Sequence, residues 1–253
     1  MGKIYCMFNQ KGGVGKTTSC ANLCAAVAMK DKTVLAVDFD AQSNLTSGLN
    51  IDKRKLRASV YNVLMGDSNI KEVIVPTDVE NLWVLPATID LSGAEVELAN
   101  IPQREIVLRN CLREVVDDYD YIIIDCPPSL GLLSINGLTA ADGVIIPIQC
   151  EYYALEGVSQ LINTVNLVKK SLNSSLEISG VMLTMYDART NLSSQIVQEV
   201  RNYFKDKVFE TIIPRNVRLA EAPSYGMTIM QYDKNSKGAQ AYARLSEEFI
   251  SRC

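Results

Sequence analysis

Short apolar runs alternate with longer segments in which apolar positions recur every three to four residues, from one end of the chain to the other. The short runs predict β-strands over residues 3–8, 33–37, 81–85, 121–125, 143–148, 178–184 and 208–212. The longer periods predict helices over 16–29, 103–116, 132–140, 154–172, 192–204 and 238–251. The strands are rich in β-branched residues and apolar on both faces, as in a sheet covered by helices. Such a rhythm means βαβ units and predicts an α/β fold: a mostly parallel twisted sheet flanked by helices in three layers. Cys20, Leu23, Cys24 and Val27 follow i, i+3, i+4, i+7 spacing on the first helix and read as core, not as a ligand set. The last helix gathers Ala239, Tyr242, Leu245 and Phe249 on one face and is expected to pack onto the sheet. Without repeats, low-complexity stretches or a linker, residues 1–253 are expected to form one domain.

Composition narrows the chemistry. Apolar residues make up 47% and charged residues 21%, ordinary for a globular protein, and no apolar run reaches the roughly 20 residues of a membrane span. Met1-Gly2-Lys3 leads straight into a strand without a signal-peptide core, so a cytoplasmic protein is expected. Seven cysteines lie on apolar patterns without a CxxC pair and are expected as buried thiols. Histidine is absent, which removes Ser-His-Asp and Cys-His catalysis and leaves carboxylates, lysines, backbone and metal. The net charge of −4 argues against a wholly basic surface, yet residues 186–253 carry 10 Lys+Arg against 8 Asp+Glu, or +2. The C-terminal quarter therefore has room for a local cationic patch, as phosphate-backbone binding requires.

The stretch Asn9-Gln10-Lys11-Gly12-Gly13-Val14-Gly15-Lys16-Thr17-Thr18 joins the first strand to the first helix. Glycines let successive N–H groups turn toward one anion, the helix N-terminus adds positive potential, Lys16 adds a full charge, and the Thr17 hydroxyl can hold Mg²⁺. This is a nucleoside triphosphate site, with Gly12, Gly13, Val14, Gly15, Lys16, Thr17 and Thr18 around the phosphates. Gln10 stands where the strict P-loop has glycine, and Lys11 sits too early to be the usual phosphate lysine. The second strand ends in Val37-Asp38-Phe39-Asp40-Ala41-Gln42, and Tyr121-Ile122-Ile123-Ile124-Asp125 is a further apolar strand ending in a carboxylate. Carboxylates at those strand ends point into the crevice where parallel sheets bind ligands; one can reach Mg²⁺ through water and another can orient the attacking water. An acidic helix cap is the plainer reading of Asp38 and Asp40 taken alone.

The P-loop segment resembles the deviant Walker A group, KGGxGK[ST], whose members include the ParA and MinD ATPases. With the DxD and Walker B segments, and with Gln149 to Gly157 and Ile213 to Ser224, the resemblance to the ParA/Soj branch runs from Lys3 to about Arg252. It implies an ATP-sandwich homodimer in which Lys11 reaches the partner's phosphates. It implies catalytic roles for Lys11, Lys16, Asp40 and Asp125, and metal roles for Thr17, Asp38 and Asp125. Pro214 and Asn216 would flank adenine, although both also suit a tight turn before a short helix. Ala41 replaces the family's usual proline, which implies a less rigid switch loop. Arg189 and Arg218 lie in segments where the family contacts double-stranded DNA non-specifically; taken singly, each reads as a surface or salt-bridge residue. Lys205, Lys207, Lys234 and Lys237 could extend the patch. The resemblance further implies stimulation of hydrolysis by a ParB/Spo0J-type protein, nucleoid association, and a role in chromosome or plasmid segregation. A MinD-like membrane-cycling ATPase is the alternative, but the last helix lacks the cationic face that lipid binding needs. An electron-transfer ATPase like nitrogenase iron protein would need two surface cysteines, for which Cys126 and Cys150 are available. Residues 45–118 read as poor in chemistry: Lys53-Arg54-Lys55 as a solvated face, Tyr61, Val63, Leu64, Trp83 and Leu85 as core.

Overall fold

The computed structural model describes residues 2–152 and 157–253. Chain order runs β1 (Lys3–Met7), α1 (Lys16–Ala28), β2 (Val34–Asp38), α2 (Asn44–Gly48), α3 (Val60–Met65), α4 (Ile70–Val73), β3 (Val75–Pro76) and β4 (Leu82–Leu85). It continues with α5 (Leu91–Leu98), α6 (Val107–Leu112), β5 (Tyr121–Asp125), α7 (Leu132–Ala140), β6 (Gly143–Gln149), α8 (Val158–Ser171) and β7 (Glu177–Tyr186). The remainder is α9 (Asn191–Phe204), β8 (Val208–Pro214), α10 (Val217–Glu221), α11 (Ile229–Tyr232) and α12 (Lys237–Arg252). The expected helix start at 154–156 lies outside the described residues.

Eight strands form one sheet in the order β3-β4-β2-β5-β1-β6-β7-β8. All pairings are parallel except β3 with β4 at the edge. Period-two alternation divides β1 between two cores. Ile4, Cys6 and Phe8 face the side packed by α3 to α9, while Tyr5 and Met7 face α1 and α12. These are the three predicted layers. On α1, Cys20, Leu23, Cys24 and Val27 are all at 0% exposure, because this helix is wedged between the sheet and α12. Ala239, Tyr242, Leu245 and Phe249 of α12 are likewise buried against the sheet, as expected. Among the described residues no helix is long and apolar enough to cross a membrane.

Three expectations need correction. The helix predicted over 103–116 is broken into a 3-10 turn at Arg104–Ile106, α6, and a second 3-10 turn at Val116–Asp118. The cause is Asn136 of α7, whose Oδ1 accepts the Leu108 N–H (3.1 Å) while its Nδ2 donates to the Arg104 carbonyl (2.8 Å). Those two groups would bond to each other in a continuous helix, so the inserted amide replaces one rung of the ladder. Of the apolar residues assigned to the core, Tyr61 and Trp83 are only partly buried, Tyr61 with its hydroxyl donating to Glu97 at the surface. All seven cysteines are free thiols, but Cys111 and Cys253 are partly exposed.

Candidate functional site

β1 ends at Met7, and the loop beyond it is fixed at once. Asn9 donates to the Pro147 carbonyl (2.7 Å) and accepts the Lys11 N–H (3.0 Å), pinning the loop to β6. Gly13 and Gly15 have φ of 75° and 87°, where a side chain would be strained, and Gly15 directly precedes α1. The first turn of α1 is thereby aimed into the loop, with its N–H groups free to meet an anion. Lys16, the first residue of α1, is buried, and its Nζ donates to the Lys11 carbonyl at 3.3 Å. Burial lowers its pKa, opposed by the charges of Asp125 and Asp40. Lys11 itself is partly buried, and among the described residues its ammonium has no hydrogen-bond or ion-pair partner.

Sheet register places the carboxylates. Met7 lies opposite Asp125 in the β1–β5 pair, and Asp38 lies opposite Asp125 in the β2–β5 pair. Both acids therefore stand at the C-terminal edge of the sheet, Asp125 on the strand next to β1 and Asp38 one strand farther out. Asp38 is already engaged: its Oδ2 accepts the Thr46 hydroxyl (2.6 Å) and N–H (2.8 Å), and its Oδ1 accepts the Asp40 N–H (3.3 Å). Burial raises its pKa to about 6 against the pull of those donors. Asp125 is different. It is at 1% exposure, and neither carboxylate oxygen has a hydrogen-bond partner among the described residues. Burial and the neighbouring Asp38 charge raise its pKa to about 8. The Thr17 hydroxyl approaches it and favours ionisation, as does the Lys16 charge, without completing a hydrogen bond. A buried carboxylate with two unfilled acceptors beside a hydroxyl fits a hard, oxygen-seeking cation such as Mg²⁺. Asp40 follows on a tight turn, its carboxylate accepting the Gln42 N–H and its carbonyl the Ser43 N–H.

A cavity of about 320 Å³ opens on the other side of the α1 N-terminus, lined by Gly15, Thr18, Thr184, Met185, Pro214 and Asn216 among others. Its size falls within the roughly 300–1,000 Å³ range of small-molecule sites, and its apolar wall suits a flat heteroaromatic base. Thr184 at the end of β7 donates to the Val14 carbonyl (2.8 Å), joining this wall to the P-loop. Pro214 ends β8, and Asn216 caps α10 by accepting the Arg218 N–H at 2.8 Å. The turn-and-cap reading of these residues and their place beside the cavity hold together.

The two arginines are exposed, and each has a carboxylate neighbour. Arg189 makes a bidentate pair with Asp187, which holds that carboxyl well below the usual range. Arg218 donates to Glu221 (3.0 Å) and stands over the Tyr232 ring. Sequence reasoning missed the supports of the site. Thr46 holds Asp38 and also accepts the Ala87 N–H (3.0 Å), while Lys53 donates to Ser43 Oγ at 2.8 Å. Both lie in the stretch that reads as poor in chemistry, because only the fold brings them to the carboxylates. Cys126 and Cys150, the thiols considered for a cluster, are at 0% and 2% exposure, and Cys126 Sγ lies 3.1 Å from Cys6 Sγ.

A family model described as an AAA domain matches residues 2–178. The chain is 58% identical over 248 residues to the sporulation initiation inhibitor protein Soj of Bacillus subtilis, covering 98% of each chain. It is 52% identical to the chromosome-partitioning ATPase Soj of Treponema pallidum, covering 100% of this chain and 98% of that one. Among solved structures it resembles cobyrinic acid a,c-diamide synthase from Mycobacterium smegmatis with bound ADP and magnesium, at a TM-score of 0.86 and 40% identity, covering 98% and 93%. Matches of this length and depth, over a P-loop of this geometry, establish that the chain belongs to the ParA/Soj family of chromosome-partitioning ATPases.

Proposed function

We propose that residues 1–253 act as one ATPase domain that binds ATP with Mg²⁺, closes into a homodimer, and in that state binds double-stranded DNA without regard to sequence. The observation that carries the nucleotide part is Asp125, a buried carboxylate beside Thr17 and Lys16 whose two oxygens lack partners among the described residues. The P-loop N–H groups and Lys16 bind the phosphates, and the cavity beside Pro214 and Asn216 receives the base. Thr17 and Asp125 would hold a Mg²⁺ ion, supported by Asp38, and the bound cation would supply charge to offset the phosphates. Asp40 orients the attacking water and accepts its proton. Lys11, whose ammonium is unpartnered among the described residues, reaches the phosphates of the second copy and so ties closure to ATP.

Each closed pair carries two copies of the Arg189 and Arg218 surface. Exchanging Asp187 and Glu221 for DNA phosphates leaves these arginines paired while releasing counterions from the duplex. Four arginines touching phosphate give a salt slope of about −3.6, hence roughly 150-fold weaker binding between 50 and 200 mM salt. Hydrolysis, accelerated by a ParB/Spo0J-type partner, then opens the dimer and releases DNA, the cycle expected of a cytoplasmic, nucleoid-associated segregation ATPase. The test is a mobility-shift series with unrelated duplexes, with and without ATP. Binding that requires ATP, ignores sequence and falls steeply with salt is expected. Equal binding without nucleotide, or a protein that stays monomeric with a non-hydrolysable analogue, overturns the proposal.

A further inference from the structure

The turn that carries Asp40 ends on a left-handed residue. It closes through the Ser43 N–H donating to the Asp40 carbonyl (2.8 Å), and Ser43 is left-handed at φ 49°, a conformation that is uncommon for a residue with a Cβ. Ala41 within the turn adds no ring to fix the backbone. α2, which starts at the next residue, is only five residues long. Asp38 Oδ1 accepts the Asp40 N–H (3.3 Å), the Asp40 carboxylate accepts the Gln42 N–H (2.9 Å) and Ser47 donates to the Ser43 carbonyl (3.2 Å), but none of these bonds reaches the Ser43 hydroxyl.

The Ser43 hydroxyl is held from outside the turn by Lys53. Its Nζ donates to Ser43 Oγ at 2.8 Å and lies 3.5 Å from the Ser43 carbonyl oxygen, while Ser43 itself is buried. The adjacent basic residues behave differently: Arg54 makes a bidentate pair with Asp52, and Lys55 lies 3.9 Å from the same carboxylate. Among the described residues Lys53 has no carboxylate partner; its ammonium rests on two neutral oxygens of the turn. A cation sited on neutral acceptors, with a carboxylate available one residue away, serves the acceptors.

We propose that Lys53 is a positioning residue for ATP hydrolysis: by clamping Ser43 it keeps the Asp40 turn in the geometry from which Asp40 addresses the attacking water. The inference rests on the Asp40 role proposed above. Lys53 lies off the P-loop and off the base cavity, so its loss should slow the chemical step and spare nucleotide binding. The whole chain is assayed with Mg²⁺·ATP for kcat and for nucleotide Kd, comparing wild type, Lys53→Met, Lys53→Arg, Asp40→Ala and the double variant Asp40→Ala with Lys53→Met. A partly exposed, charge-assisted hydrogen bond gives an expected loss of about fivefold in kcat for Lys53→Met, with Kd within about twofold of wild type. Lys53→Arg should recover most of the rate, and the double variant should be no slower than Asp40→Ala alone. An unchanged kcat in Lys53→Met, a Kd that weakens in step with kcat, or Lys53→Arg as slow as Lys53→Met overturns the inference. Slow Asp40→Ala beside normal Lys53→Met removes the Lys53 inference alone. Normal turnover in Asp40→Ala removes the Asp40 role and this inference with it.

Discussion

Asp125→Asn should make the nucleotide-free protein more stable, and increasingly so as pH rises. Burial, then the Asp38 charge, raise Asp125 from 3.8 to about 8, while Thr17 and Lys16 only partly oppose them. In the unfolded chain the same carboxyl titrates near its ordinary value. Between the two values the native state keeps a proton that the unfolded state has released, so stability falls with rising pH and levels off above about 8. Each pH unit in that window costs about 1.4 kcal/mol, so moving from about pH 5 to 7.5 removes on the order of 3 kcal/mol. That is a large part of the roughly 5–15 kcal/mol that holds a domain folded. Asparagine keeps the shape and abolishes the ionisation. Its amide meets the same lack of partners, a cost of about 1–3 kcal/mol that does not vary with pH. Asp38, raised to about 6, is present in both proteins and largely cancels. Urea unfolding followed by the single tryptophan, Trp83, at a series of pH values measures the difference. The midpoint gap should shift toward the variant by roughly 1 M urea between about pH 5 and 7.5. Parallel pH profiles, or a gap that moves the other way, would refute the reasoning. The variant should also lose Mg²⁺-dependent hydrolysis, since the oxygens whose buried charge destabilises the fold are the ones assigned to the cation.

Lys16→Ala should abolish nucleotide binding at concentrations that saturate wild type, checked by calorimetry; ordinary affinity would refute the P-loop reading. Arg189→Ala combined with Arg218→Ala should leave ATP-driven dimerisation intact and remove DNA binding, with a flattened salt dependence of whatever remains. Retained affinity in a mobility-shift assay would transfer the role to the lysines. Gly137→Ala would set a Cβ 2.5 Å from Cys126 Sγ and 3.5 Å from Cys6 Sγ, with α7 pressed on the strand that ends in Asp125. Such overpacking should cost about 1–3 kcal/mol in a urea titration.

The local sequence determined what is governed locally. Glycine spacing prescribed the left-handed positions of the P-loop, and an apolar run ending in aspartate prescribed a strand that delivers a carboxylate at its C-terminal end. Both signals act within a few residues, so they survive without knowledge of the fold. The supports of the site were not legible, because they depend on contacts between distant parts of the chain. Asp38 comes to lie opposite Asp125 only through the β2–β5 register, and Thr184 meets the Val14 carbonyl across 170 positions of sequence. The Asn136 amide divides a helix that periodicity alone would leave whole. Lys53 reads as one more surface cation until packing sets its ammonium on Ser43. Sequence named the groups proposed to meet the phosphates, because backbone geometry and charge prescribe them residue by residue. Tertiary structure chose which side chains hold those groups in place, because burial and strand register decide which distant polar atoms must satisfy one another.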